Sequence, residues 1–408
     1  MNILILANKV PYPPHDGGAI ATLNMVLGLT EAGANVTLLA MSTPKHQRSL
    51  ADFPLHIKNR VDINIVDVNT NLSVLKALRN LFFSSEPYNA ARFNSKAYGQ
   101  KLSEILTRTK FDIIQLEGAY LYSYIPLIRK QFKGIIALRA HNVEHEIWRR
   151  SSHNQRNFLK RWYFNLLANR IYKLETSLLS AIDILVPITA RDFLSFKEMG
   201  FSGKYFVSPA GYNAFEDETS ELVSENEDLS IFHLGGLDWL PNQEGIIWFL
   251  QNCWMQILEE VPKAKFYIAG RNAPEGFVSK ISSFTGVVYC GEVKSSVEFI
   301  KSKGVMVVPI LSGGGMRIKI VEGMALGKAI VSTHIGAEGI DAKNGSEISI
   351  ASTPEQMVSA TILLLTNTQK AKDMGKLARV FAESNFNNKI LTSKLLKYYR
   401  QQVANEVD

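Results

Sequence analysis

The run VMVVPILSGGGMRIKIVEGMALGKAIVST, residues 305–333, decides how the chain is to be read. A short apolar stretch passes through three glycines into an amphipathic segment carrying Arg317, Lys319 and Glu322, and a second apolar stretch follows. Strand, glycine turn, helix and strand in this order make a parallel βαβ unit. In open α/β sheets ligands sit beyond the carboxyl ends of the strands, where this glycine turn falls. Glycines there let backbone N–H groups close on an anion, and a helix N-terminus adds positive partial charge. Arg317 and Lys319 suit a diphosphate. Glu322, one turn deeper, suits the hydroxyls of a ribose, and anion followed by sugar describes a nucleotide. The plainer alternative is a flexible GGG loop followed by an exposed Lys319–Glu322 pair.

The same alternation extends outward in both directions. Strands are expected at 2–7, 36–41, 63–68, 112–117, 134–140, 183–188 and 204–209, with a helix over 18–32 ended by Gly33. Residues 213–229 are acidic and poor in apolar side chains, which predicts a linker; Glu216 and Glu218 are then a solvated face rather than a metal site. A second series follows, with strands at 230–236, 265–270, 286–291, 305–310 and 328–333 and a helix over about 242–259. The pattern from 368 to 405 is helical. The expected organisation is therefore α/β, with a Rossmann-like domain over 1–210, a linker over 211–229 and a second Rossmann-like domain over 230–385. A helix over 386–408 is expected to pack back on the first domain.

Composition limits the function classes. With 408 residues, 46% hydrophobic and 20% charged, the chain reads as ordinary soluble material, and no stretch of about 18 apolar residues occurs, so a cytoplasmic protein is expected. Cys253 and Cys290 stand in apolar contexts without metal-type spacing and read as core. Charge is uneven: 26 Lys and Arg face 15 Asp and Glu over residues 1–208, against 19 and 23 over the rest. No zinc-finger spacing, RNP-type aromatic strand or basic repeat accompanies the basic half, which argues against nucleic acid and for a membrane surface or phosphorylated acceptor. The excess concentrates in WRRSSHNQRNFLKRWYFNLLANRIYK, residues 148–173, where Arg149, Arg150, Arg156, Lys160, Arg161, Arg170 and Lys173 interleave with aromatics and no acid occurs. One helix is expected there, either lying on an anionic membrane or packing its aromatics inward.

Residues 309–340, PILSGGGMRIKIVEGMALGKAIVSTHIGAEGI, resemble the donor-site segment of family 4 of the retaining glycosyltransferases. KVPYPPHDGGAIATLNMVLGLTEAGANVTLLA at 9–40, RAHNVEHEIW at 139–148, ITARDFLSFKEMG at 188–200 and SPAGYN at 208–213 are similar to further segments of that family, in the family's order. The resemblance implies the GT-B fold, two Rossmann-like domains facing across a cleft, and transfer from a nucleoside diphosphate sugar such as a UDP-sugar to a carbohydrate or lipid-linked acceptor in polysaccharide or glycolipid synthesis, with retention. No cofactor is implied, and no metal, in keeping with the lack of an Asp-x-Asp motif. It implies that Gly17 and Gly18 form a loop near the diphosphate, that His141 lines the reaction centre, that Gly291, Glu292 and Val293 receive the base, and that Glu322 holds the ribose. Two departures are visible. Gly314 stands where many members carry a glutamate facing the donor sugar, which leaves the amides of Gly313, Gly314 and Gly315, with Met316 beside them, as substitutes. Gly236 and Glu244 stand where many members carry an arginine and a lysine, so Arg317 and Lys319 are expected to take over the diphosphate. Asp16 reads as a turn residue more than as a base, and Asp238 and Trp239 read equally as helix entry or as site. A nucleotide-sugar epimerase and a non-catalytic sugar-nucleotide-binding subunit remain alternatives; a dinucleotide oxidoreductase fits less well, because Gly-x-Gly-x-x-Gly does not follow the first strand.

Overall fold

A computed structural model describes all residues except 15, 46, 154, 156, 214–228 and 408. The chain forms two compact units, one of residues 1–210 with 388–408 and the other of residues 211–387. Most of the expected linker, with Glu216 and Glu218, lies outside the described residues, as does Arg156.

The first unit is built on a seven-stranded parallel sheet. Its strands are β1 (Asn2–Ala7), β2 (Asn35–Ser42), β3 (Asp62–Asp67), β4 (Ile113–Glu117), β5 (Ile135–Ala140), β6 (Ile184–Pro187) and β7 (Lys204–Tyr205). Their spatial order is β3-β2-β1-β4-β5-β6-β7, with β1 in register from Asn2↔Asn35 to Ala7↔Ala40 on one side and from Ile3↔Ile113 to Ala7↔Glu117 on the other. Helices cover both faces, so the central strands are buried on both and read as nearly continuous apolar runs. β7 is shorter than the expected 204–209: the regular ladder stops at Tyr205, although Phe206 and Ser208 still donate to Leu185 and Pro187 of β6.

Helix α1 (Gly17–Glu31) follows β1, and α2 (Val74–Phe83) follows β3. In place of the single helix expected over 148–173 there are two, α3 (Glu144–His153) and α4 (Phe158–Leu179). Asn157 causes the restart, its side chain accepting from Leu159 N at 3.0 Å and Lys160 N at 3.1 Å as an N-cap.

The second unit has the parallel order β10-β9-β8-β11-β12-β13. Its strands are β8 (Ser230–Leu234), β9 (Lys265–Ala269), β10 (Val287–Gly291), β11 (Val305–Val308), β12 (Ile330–Thr333) and β13 (Ser349–Ala351). The last was not expected, being too short to register as an apolar run. The relevant helices are α5 (Leu240–Phe249), after β8, and α6 (Ile318–Ala325), after β11. The helical pattern over 368–405 is broken at Asn387, giving α7 (Thr368–Phe386) and α8 (Asn388–Val407). Only α8 belongs to the first unit. There Leu395, Leu396 and Tyr399 join the core formed by Leu23, Val26 and the β1 and β5 side chains, and Asn388 Nδ2 donates to Asn24 O at 2.8 Å.

Candidate active site

Each sheet reverses its winding once, and the loops after the two strands flanking that reversal diverge to leave a crevice at their carboxyl ends. In the second unit these strands are β8 and β11; in the first they are β1 and β4. The sequence-selected residues gather at these two places.

In the second unit, the loop after β11 carries the three glycines. Gly313 has φ +103°, a conformation that disfavours a side chain, and a Cβ there would sit 3.0 Å from the Trp239 ring. The Arg317 side chain folds back so that Nη1 donates to the carbonyls of Gly314 and Gly315, and its guanidinium lies 5.2 Å from the Trp239 ring centroid. Trp239 stands at the entry to α5, as the helix-entry reading has it, with its ring against Arg317. Lys319 reaches across to the loop after β8. Its Nζ donates to Asn242 Oδ1 at 2.8 Å and lies 3.0 Å from His233 Nε2. His233 Nδ1 is 2.9 Å from Val307 O, which requires the proton on Nδ1 and leaves Nε2 to accept from the ammonium. Burial, then the Lys319 charge, keep His233 neutral. Gly235 makes room for this arrangement: a Cβ there would fall 2.5 Å from Lys319 Nζ.

Burial, then the nearby Arg317 charge, bring Lys319 down to about 7. Its hydrogen-bond partners are neutral, so an anion arriving beside it restores the charged form. No ion pair joins Lys319 to Glu322. Glu322 is half-buried on α6, and burial raises its carboxyl to about 7. The cations therefore face the segment Gly235–Asn242, where Gly236 stands; Glu244, further along α5, accepts from Ser312 Oγ at 3.3 Å. The turn Gly291-Glu292-Val293 lies at the end of β10, on the same carboxyl edge of the sheet, with Gly291 O accepting from Gly270 N at 2.8 Å.

In the first unit, Gly17 and Gly18 are not a loop: they open α1. Asp16 fixes the start by accepting from Ala19 N at 2.9 Å, and it also pairs with Lys9. The first-turn amides still point out of the sheet edge, as in any helix start. His141 stands just past β5, with Nε2 2.7 Å from Glu117 Oε2. Glu117, which the sequence reading passed over as a strand residue, is buried at the end of β4. It also meets Arg139 Nη1 at 3.2 Å, Thr22 Oγ1 at 3.2 Å and Gln115 Nε2 at 2.5 Å. Tyr399 of α8 completes the chain by donating to Gln115 Oε1 at 2.7 Å. Burial opposes ionisation of Glu117, but the Arg139 charge and the bonds from His141 and Gln115 outweigh it and hold the carboxyl at about 2. An ionised Glu117 makes His141 Nε2 the N–H donor and turns Nδ1 into the acceptor. Burial also lowers His141 against the opposing pull of Glu117, so the ring is neutral. Tyr120 donates to Glu144 at 2.8 Å beside it, and burial raises the Glu144 carboxyl.

Among the described residues no group of three or more His, Cys, Asp or Glu side chains is arranged to hold a metal ion. The second unit thus brings a glycine loop and two cations together at the reversal of a parallel sheet. The family described as Glycosyl transferases group 1 matches residues 228–367. This chain carries a group 1 glycosyl transferase domain. The glycosyltransferase is similar over its length to an uncharacterized 44.6 kDa protein in the cps region of Klebsiella pneumoniae, 22% identical over 97% of this chain and 99% of the relative. Its fold is GT-B. Sucrose-phosphate synthase from Thermosynechococcus elongatus superposes with a TM-score of 0.69 at 16% identity, covering 99% of this chain and 100% of that one. Anabaena HepE in complex with UDP gives 0.68 at 14% identity, covering 98% and 100%.

Proposed function

We propose that the glycosyltransferase takes its sugar from a UDP-sugar and passes it to a carbohydrate or lipid-linked acceptor in polysaccharide or glycolipid synthesis, with retention of configuration. The observation that carries this reading is Lys319, a half-buried cation held only by neutral hydrogen-bond partners beside the glycine loop. With Arg317 it neutralises the diphosphate as charge builds on the leaving group. Glu322 accepts from the ribose hydroxyls, and the turn Gly291-Glu292-Val293 meets the base. Amides of Gly313, Gly314 and Gly315, with Met316, face the donor sugar in place of a side-chain carboxylate. Gly17 and Gly18 offer their helix-start amides to phosphate. UDP is favoured because HepE was solved with UDP.

The bond from the sugar C1 to the diphosphate oxygen breaks, the acceptor oxygen takes its place on the same face, and the acceptor proton passes to the departing phosphate. No enzyme nucleophile is needed. His141, neutral and oriented by Glu117, accepts a hydroxyl of the reacting sugar through Nδ1. The first unit is the acceptor-binding domain in this reading and the second the donor-binding domain. Attachment is peripheral, on the cytoplasmic face of a membrane; no helix among the described residues is long and apolar enough to cross one.

A panel of nucleotide sugars incubated with mixed acceptors tests the proposal. Acceptor-dependent release of UDP is expected, and His141→Ala should slow it while nucleotide affinity stays near that of the unaltered enzyme. An isomerised donor without release, or binding without turnover, would overturn it.

A further inference from the structure

None of the ten residues of helix α2 is buried. Val74, Leu75, Leu78 and Phe82 fall on one face by helical spacing, and that face looks away from the protein, with Val74 76%, Leu75 80% and Phe82 73% exposed; Phe83 continues it at 85%. A helix on a soluble domain turns its apolar stripe toward the core, whereas this one turns it out. Polar contacts at its two ends hold it in that attitude. Ser73 caps the start and Tyr88 Oη accepts from Ser73 N at 3.1 Å, while Arg170 of α4 donates to Asn80 O at 3.3 Å and Leu81 O at 2.9 Å, the carbonyls of the last turn.

The charges beside the stripe have one sign. Lys76 and Arg79 are exposed on α2, and no acid occurs between Asp67 and Glu86. The first turns of α4, the helix that holds α2, repeat the composition, with Phe158, Leu159 and Trp162 exposed beside exposed Lys160 and Arg161. Two copies of this face would oppose cation to cation. An anionic bilayer satisfies both features, taking the apolar side chains below its headgroups and setting its phosphates against the cations. At ten residues α2 is about 15 Å long, suited to lying in the interface and too short to span the hydrocarbon.

We propose that α2, flanked by the start of α4, is the membrane-inserting surface of this enzyme, entering an anionic leaflet in the plane of its headgroups. This deepens the membrane attachment proposed above and rests on it. The sequence had pointed to 148–173 alone; the structure adds the element that supplies apolar contact and shows part of the basic run to be occupied, Arg150 with Glu146 at 3.1 Å and Arg170 with α2.

The experiment measures sedimentation with vesicles of equimolar phosphatidylglycerol and phosphatidylcholine, or of phosphatidylcholine alone. The proteins are the full chain and two double variants at opposite ends of the stripe, Leu75→Ser with Leu78→Ser and Phe82→Ser with Phe83→Ser. The unaltered enzyme should prefer the anionic vesicles, and each double variant should lose at least about tenfold in partitioning. The far-UV circular dichroism spectrum and the denaturation midpoint should be unchanged in both, which shows that they are folded. Retained partitioning in both variants would overturn the role of α2 while leaving membrane attachment standing. Failure of the unaltered enzyme to prefer anionic vesicles would overturn both, with donor turnover in solution judged separately. A dimer seen by light scattering that the variants dissolve would assign the stripe to a second copy and overturn the proposal.

Discussion

The two sheet reversals, one in each unit, are built from the same topology and opposite electrostatics. At β1/β4 the buried charges answer one another: Glu117 has Arg139, His141, Gln115 and Thr22 around a single carboxylate, and its acidity is enhanced as a result. At β8/β11, Lys319 has an amide and an imidazole for company and is driven toward neutrality, and burial drives Glu322 on the same helix toward neutrality as well. A closed set of charges fixes geometry, and here it fixes the tautomer and orientation of His141. A set left open describes a ligand, because the missing counter-charge is supplied on binding. On the function proposed above, the closed set positions and the open set binds.

The largest expected effect is at the closed set. Glu117→Ala leaves Arg139 buried without its carboxylate and should destabilise the protein by about 3–5 kcal/mol, read as a drop in the denaturation midpoint. The folded-state pKa of Glu117 is depressed to about 2, so its contribution is present above the ordinary value of 4.5 and fades as pH falls toward 2. Acid titration of stability should therefore be shallower in Glu117→Ala. A variant as stable as the original would break the comparison at its first term.

Next comes Lys319→Met, which should weaken UDP binding by about 1.5–3 kcal/mol and uridine binding little. Arg317→Ala should weaken both, because it also releases the carbonyls of Gly314 and Gly315. Lys319 favours a diphosphate only when protonated, so affinity should fall as pH rises above about 7, and that alkaline limb should vanish in Lys319→Met. Smaller, about 1 kcal/mol, is the loss expected for Glu322→Gln, confined to ribose and absent with 2′-deoxyuridine diphosphate. An ionised Glu322 is the better acceptor, so it adds a loss of affinity below about 7 that the glutamine variant should lack. Isothermal titration across pH separates these limbs. The smallest effect belongs to Asp16→Asn: asparagine caps as well as aspartate, so stability should move by a few tenths of a kcal/mol and turnover should persist. Loss of turnover would make Asp16 a base after all.

The sequence shows the open set far better than the closed one. Glycines, arginine, lysine and glutamate within ten residues announce themselves because they are contiguous in one loop and helix. Glu117, Arg139 and Gln115 are single polar residues inside apolar strands, DIIQLE and GIIALRA, and only strand pairing brings them together. Their signal was a charge in a run that ought to be apolar, and the same holds for His233 in SIFHL. Asp16 read as a turn residue and proves to be the cap of a helix that begins at Gly17, whereas the strands other than β13 were legible from their apolar runs. The division of 148–173 was not, since Asn157 acts as a cap only through two local hydrogen bonds that periodicity does not register. Nor was the outward stripe of α2, because periodicity gives the face of a helix and not the direction in which that face points.

Helix α8 makes the first unit discontinuous: Tyr399 closes the buried network on Gln115, yet it is translated after all of the second unit. Until residues 388–407 are made, the Tyr399–Gln115 hydrogen bond cannot form and Leu395, Leu396 and Tyr399 are missing from the core beside α1. Domains fold as they emerge, so the second unit is expected to mature first and the first unit to wait for residues 388–407. The His141 environment is then expected to be completed last, and a nascent chain stalled before α8 is expected to carry a whole second unit with an unfinished first one.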